Sequence, residues 1–180
     1  AESILENVLA YPGGSNNVFY IPGDSVIEVN QYGKRIMDEK RNYTDRTMLH
    51  FVWDPQKAEW TNMLVFMIYD KRTAELWQGF PPYPVLSDGL SSYIIAADTI
   101  DDLAEALSIR LKSLEAHTGG FRLSYEFLPN LKETILRYNI FAKTGKDMDF
   151  QRGDFNYDRE WTTFPPTIPG AAWPPEGSPN

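Results

Sequence analysis

The sequence predicts an α+β fold, and three observations carry that expectation. Met63 to Tyr69 is an almost continuous apolar run of seven residues between Asn62 and Asp70, the length and character of a buried central strand. Leu131, Ile135, Tyr138 and Ala142 recur at helical spacing, with Leu136 and Ile140 widening the stripe. Strand-like, helix-like and proline-rich stretches follow one another irregularly, without the βα alternation of a doubly wound sheet.

Taken in order, the chain opens on a short helical piece (Ile4, Leu5, Val8, Leu9) broken at Pro12-Gly13-Gly14. Val18 to Ile21 and Ser25 to Val29 read as strands separated by the turn Pro22-Gly23-Asp24. Asn30 to Gly33 is the next turn, followed by a polar stretch to Tyr43. Thr44 to Val52 reads as helix ended by Asp54-Pro55. After the apolar run, residues 79–92 are loop by composition, and Tyr93 to Ala97 is a further strand candidate. Thr99 with Asp102 three positions on resembles a capping box for a helix from Ile100 to Leu107. The long helix spans Leu131 to Lys143, with Pro129-Asn130 at its start and Gly145 at its stop. Residues 164–180 hold six prolines and continue neither helix nor sheet.

Composition narrows the function. The 180 residues carry 17 Lys and Arg against 25 Asp and Glu, a formal charge of −8. With no basic block, nucleic acid and anionic membrane are poor partners, since both draw affinity from cations on phosphate. Apolar residues at 42% and aromatics at 14% supply a core. The absence of cysteine excludes disulfides, thiolate zinc sites and cysteine nucleophiles, and fits a reducing cytoplasm. His50 and His117 alone make no metal site. Glu2 and Glu6 stand where a secretory leader carries basic residues, and no apolar run approaches membrane-spanning length. Asn42-Tyr43-Thr44 matches a glycosylation sequon at chance frequency.

Nucleotide cradles of the GxGxxG and GxxxxGK[ST] types and the GxSxG elbow are missing. Asp147, Asp149, Asp154 and Asp158 invite a calcium reading, yet Arg152 falls where an EF-hand needs glycine, so a hydrogen-bonded loop is the better account. Arg35 and Glu39, four apart, would share one helix face, where a solvated ion pair is the plain expectation. Tyr43 follows Lys40 and Arg41 and precedes Arg46, and nearby cations favour a phenolate. A basic tyrosine and a packing tyrosine are both compatible with that setting.

Three segments sharpen the choice. VNQYGKRIMDEKRNY (29–43) resembles the V-N-x-x-G-x-R-F-x-N-E-x-x-x-Y stretch of the flavoprotein family that includes fumarate reductases and 3-ketosteroid dehydrogenases. AADTIDDLAEAL (96–107) is similar to that family's A-x-T-I-x-x-L-A helix start. ETILRYNIFAKTGKDMDFQRG (133–153) resembles its T-x-x-R-(F/Y)-N-x-x-A-x-x-G-x-D-x-D-F-x-R, with Arg137, Asn139, Gly145, Asp147, Asp149, Phe150 and Arg152 in register. Met67 to Asp70 resembles the family's strand ending in aspartate. The likeness covers about residues 25 to 160, and departs at Ile36 and Asp38, where phenylalanine and asparagine are usual.

The resemblance implies a substrate-capping domain over residues 1–163, with 164–180 as a proline-rich exit toward an FAD domain absent from this chain. FAD would then be the cofactor of a longer parent, held by that domain and not by these residues. The implied reaction dehydrogenates or reduces a carbon–carbon bond beside a carbonyl. In fumarate reductases the motif glycine precedes an arginine proton donor by ten residues, and ten after Gly33 stands Tyr43. A tyrosine there resembles the ketosteroid dehydrogenases, where it accepts the proton. Tyr43 is thus the expected catalytic residue, with Arg35 and Glu39 as its scaffold and a cyclic or steroid-like ketone as substrate. Two alternatives are a stand-alone module binding a small ligand or a protein, and a fumarate-type dicarboxylate enzyme, the latter weakened by the lack of a compact Arg/His cluster.

Overall fold

A computed structural model describes residues 21, 23, 25–79, 83–89 and 94–162, the side chains of 43, 88 and 160–162 excepted. The expected N-terminal helical piece, most of the first strand candidate and the proline-rich tail lie outside these residues. The fold is α+β: β1 (Val26–Val29), α1 (Tyr43–Met48), β2 (Trp53–Asp54), β3 (Glu59–Trp60), β4 (Phe66–Tyr69), α2 (Lys71–Trp77), α3 (Ile100–Ser113), α4 (Glu115–Thr118), α5 (Phe127–Thr144) and α6 (Asn156–Thr162). No described helix is long and apolar enough to cross a membrane.

β1 and β4 pair antiparallel, with Val26 opposite Tyr69 and Val29 opposite Phe66. All four β1 residues are buried, but its two faces differ because side chains alternate along a strand. Ile27 and Val29 join Ala104, Leu107 and Leu111 of α3 and Phe127 and Leu131 of α5 in the apolar core. The other face carries Glu28, whose Oε1 lies 3.9 Å from Arg46 Nη1. β1 therefore divides an oily layer from a charged one.

The expected buried central strand is shorter and less buried than the apolar run implies. Only Phe66 to Tyr69 form strand, all half-buried, and β1 is the partner the described residues give it. The expected helix over 44–52 is α1 followed by a 3₁₀ turn, Leu49–Phe51. The chain then enters an unforeseen hairpin, β2 with β3, in which Trp53 and Trp60 meet edge-to-face at 5.1 Å between ring centroids. Residues 94–97 form no strand, and Tyr93 lies outside the described residues.

Helix ends follow their caps closely. Asp70 Oδ1 accepts the Thr73 amide at 2.8 Å, so the aspartate closing β4 is the N-cap of α2. Thr99 Oγ1 accepts the Asp102 amide at 3.1 Å and opens α3, which runs two turns beyond the expected Leu107. α5 starts at Phe127, with Pro129 tolerated in its first turn, and stops at Gly145, whose φ of 70° is the left-handed conformation glycine adopts freely.

Candidate functional site

The turn after β1 is built by Asn30 and Gly33. Asn30 Oδ1 accepts the Tyr32 amide at 3.0 Å, and Gly33 N–H donates to Asn30 O at 2.9 Å. Gly33 has φ +71°, and a Cβ there would run into Phe127 O and come within 2.8 Å of Leu131 N. Glycine is required twice over, by conformation and by the close passage of α5. Asn130 Nδ2 donates to Tyr32 O and Thr134 Oγ1 to Gly33 O, both at 2.9 Å, fastening the turn to that helix.

From Gly33 to Asn42 the chain is not helical. Arg35 and Glu39 nevertheless pair, across a folded loop and not along a helix face, and they are buried where a solvated pair was expected. Arg35 Nε reaches Glu39 Oε1 at 2.7 Å and Nη2 reaches Oε2 at 2.8 Å. Nη2 also meets Asp147 Oδ2 at 2.7 Å. The guanidinium lies 5.0 Å from the Tyr138 ring centroid and 5.1 Å from that of Phe150.

A second arginine closes the cluster from the third motif segment. Arg152 Nη1 donates to Glu39 Oε2 at 3.1 Å and to Val26 O at 2.7 Å. Glu39 Oε1 also accepts the Glu28 amide at 3.1 Å. Asp147 accepts the amides of Asp149, Phe150 and Arg152, so the acidic stretch is the hydrogen-bonded loop the sequence implied. Arg41 stacks over Phe155 at 3.5 Å, and Lys40 Nζ donates to Ile21 O and Gly23 O.

These contacts set the electrostatics. Burial pushes the Glu39 carboxyl up, but hydrogen bonds and charge from Arg35, with Arg152, outweigh it and hold the group below its ordinary value. Asp147 is likewise lowered, Arg35 overcoming its burial. Arg35 is raised in turn: burial disfavours its charge, and Glu39 and Asp147 restore it. Glu28 lacks so close a cation. Burial raises it to about 7, against the pull of Arg46 and with a further push from Glu39.

The cluster positions α1. Asn42 Oδ1 accepts the Thr44 amide at 2.8 Å as its N-cap, and Tyr43 is its first residue; the Tyr43 side chain lies outside the described atoms. Arg46 Nε donates back to Arg41 O at 3.0 Å. The structure thus joins Arg35 and Glu39 directly and places Tyr43 one turn of loop beyond them. Asp147 and Arg152 figured in the sequence only in the rejected calcium pattern and as motif letters, and nothing there said that they meet Arg35 and Glu39. Glu28 and Arg46 likewise carried no signal of their contact. His50 Nδ1 lies 2.8 Å from Asn62 O, a scaffold contact.

An open groove of about 490 Å³ runs beside the cluster, lined by Arg35 together with Lys34, Asn130, Arg137, Tyr138 and Met148. Arg137 spans it to Asp149 with contacts of 2.5 to 2.9 Å. Among the described residues no dinucleotide cradle exists: the glycine turn after β1 leads into a bent loop packed on α5, not into the helix start that would receive a pyrophosphate. FAD does not fit these residues.

No protein-family model matches the chain. It is 29% identical over 154 residues to a 4-oxocyclohexanecarboxylate 2-dehydrogenase of Sinomonas cyclohexanicum, covering 83% of this chain and 23% of that protein. It is 30% identical over 146 residues to a 3-oxosteroid 1-dehydrogenase of Mycolicibacterium smegmatis, and 27% to one of Mycobacterium tuberculosis, each match covering 77% of this chain and 22% of the relative. The chain spans less than a quarter of the length of these relatives. The motif register and this likeness both run through most of the chain's length, which fits a capping domain of FAD-dependent oxidoreductases related to these dehydrogenases.

Proposed function

We propose that this chain caps the substrate site of a cytoplasmic, FAD-dependent dehydrogenase acting on the carbon–carbon bond beside a ring ketone. The supporting observation is the buried Arg35–Glu39–Arg152–Asp147 cluster, which joins the two most distinctive motif segments and delivers the chain to α1, where Tyr43 begins. In this reading FAD would be held by a domain outside these residues and would supply the hydride acceptor that a dehydrogenation needs.

The work of these residues is proton transfer and positioning. Tyr43, as phenolate, takes a proton from the carbon next to the substrate carbonyl, whose oxygen disperses the charge left behind. In sequence Tyr43 stands among Lys40, Arg41 and Arg46, cations of the kind that stabilise a phenolate when close to it. Arg35 and Glu39 are buried against each other, so in this reading their part is to hold the loop that presents Tyr43. At the end of α1 and just after it, Met48 and Phe51 are largely exposed and Trp53 and Trp60 nearly half exposed. Such an apolar surface suits an uncharged ring substrate better than a dicarboxylate.

The test is Tyr43→Phe in the full-length polypeptide. The variant is expected to keep its flavin and lose most of its turnover with a cyclic ketone; unchanged kcat would remove Tyr43 from the reaction.

A further inference from the structure

Asp38 and Asp158 are buried carboxyls, 4% and 0% exposed, one from the loop before α1 and one from α6. One oxygen of each is satisfied: Asp38 Oδ1 accepts the Lys40 amide at 2.9 Å, and Asp158 Oδ2 the Gly153 amide at 3.1 Å. The remaining oxygens, Asp38 Oδ2 and Asp158 Oδ1, are buried and receive no hydrogen bond from the described groups. Arg41 Nε approaches Asp38 Oδ2 only to 3.5 Å. The two side chains lie within hydrogen-bonding reach of each other.

Two ionised carboxylates in that position repel in a medium that screens poorly, and each lacks a donor. One proton between them removes a charge and turns two acceptors into a donor and an acceptor. We propose that Asp38 and Asp158 share a single proton through these two oxygens, forming a clamp between the loop that leads into α1 and helix α6.

The surrounding charges support this arrangement. Asp38 is faced by Glu39 and Arg41 from its own loop, by Asp158 from α6, by Arg46 from α1 and by Arg152 from the loop before α6. Arg152 is engaged by Glu39 and Arg46 by Glu28, so neither is dedicated to a second negative charge at Asp38. Burial is the largest influence on Asp38; it outweighs the Lys40 amide and, with the hydrogen bond and charge of Asp158 and the charge of Glu39, raises the group to about 7. The clamp is therefore closed in mild acid and opens as the pH rises past neutrality. Asparagine, usual at this place in the motif the segment resembles, would donate to Asp158 at any pH. Aspartate makes the bond conditional on a proton. This inference holds whatever reaction the parent performs.

The test compares the unmodified 180-residue chain with Asp38→Asn, Asp38→Ala and Asp158→Asn, following thermal midpoints from about pH 5 to about pH 9. The unmodified midpoint falls through neutrality, and Asp38→Asn, donating without a proton, falls less; taking the difference cancels the contribution of Glu28. Asp38→Ala is lowered throughout. In a Glu28→Gln background, which removes the other carboxyl raised to about 7, difference infrared spectra show a protonated-carboxyl band in mild acid that Asp38→Asn abolishes. Asp158→Asn, which donates in the reverse sense, repeats both results should Asp38→Asn fail to fold. Equal pH slopes in the chain and the asparagine variants, or a protonated-carboxyl band that survives both, overturns the shared proton.

Discussion

Arg152 and Glu39, 113 residues apart in sequence, meet at 3.1 Å with both side chains wholly withdrawn from solvent. Glu39 is simultaneously bonded by Arg35 and by the backbone of β1, so one carboxylate serves three elements.

Removing that carboxylate should be severe. Glu39→Ala leaves two buried guanidinium groups short of a counter-charge, a change worth about 3–5 kcal/mol for a buried pair broken on one side. Urea denaturation should show a midpoint far below that of the unmodified chain. Arg137→Gln, which breaks an exposed pair with Asp149, should leave the midpoint nearly unchanged. Equal losses for the two would mean that burial does not govern these pairs.

Gly33→Ala tests the close passage of the turn and α5. The added methyl meets Phe127 and Leu131 backbone and is strained by the φ of +71°. The expected loss exceeds about 1 kcal/mol, the ordinary effect of glycine replacement at a compatible site reversed in sign. Thermal unfolding with a midpoint equal to the parent's would contradict the geometry.

Stability should pass through a maximum in mild acid. Glu39 and Asp147 sit below their ordinary values in the fold, so their contribution is present above the normal carboxylate range and is lost as pH falls. Glu28 is raised to about 7, so its contribution is present at low pH and disappears as pH climbs from its usual value toward 7. Glu28→Gln should flatten the alkaline limb and leave the acid limb in place, as read by midpoint against pH; an unaltered alkaline limb would argue against a neutral buried Glu28.

Much of this was legible in the sequence, and the misses have physical causes. Thr99, Asp102 and Gly145 announce their helix ends because capping is local chemistry. The run from Met63 to Tyr69 looked buried on both faces, yet an apolar run reports composition and not how many strands lie alongside, and β4 is only half-covered. Arg35 and Glu39 looked like a solvated helical pair because spacing alone supplies a period. The left-handed Gly33 starts a bend instead, and the partners that bury the pair, Asp147 and Arg152, are more than a hundred residues away. Motif register alone linked those segments, and it said nothing of Glu28, which alternation along β1 turns away from the apolar core, or of Arg46, which faces it from α1.

Gly33 also fixes a datum for the whole loop. Because Gly33 lets the loop's main chain pass directly against that of α5, and Asn130 and Thr134 grip the carbonyls of Tyr32 and Gly33, the spacing between that helix and the loop's first residues is set by close backbone approach and two side-chain clasps. Other side chains along the open groove, such as Lys34 and Met148, are then at liberty to vary without shifting that reference. A lineage of such proteins can retool what the surface recognises while the starting point of the path to Tyr43 stays where it was.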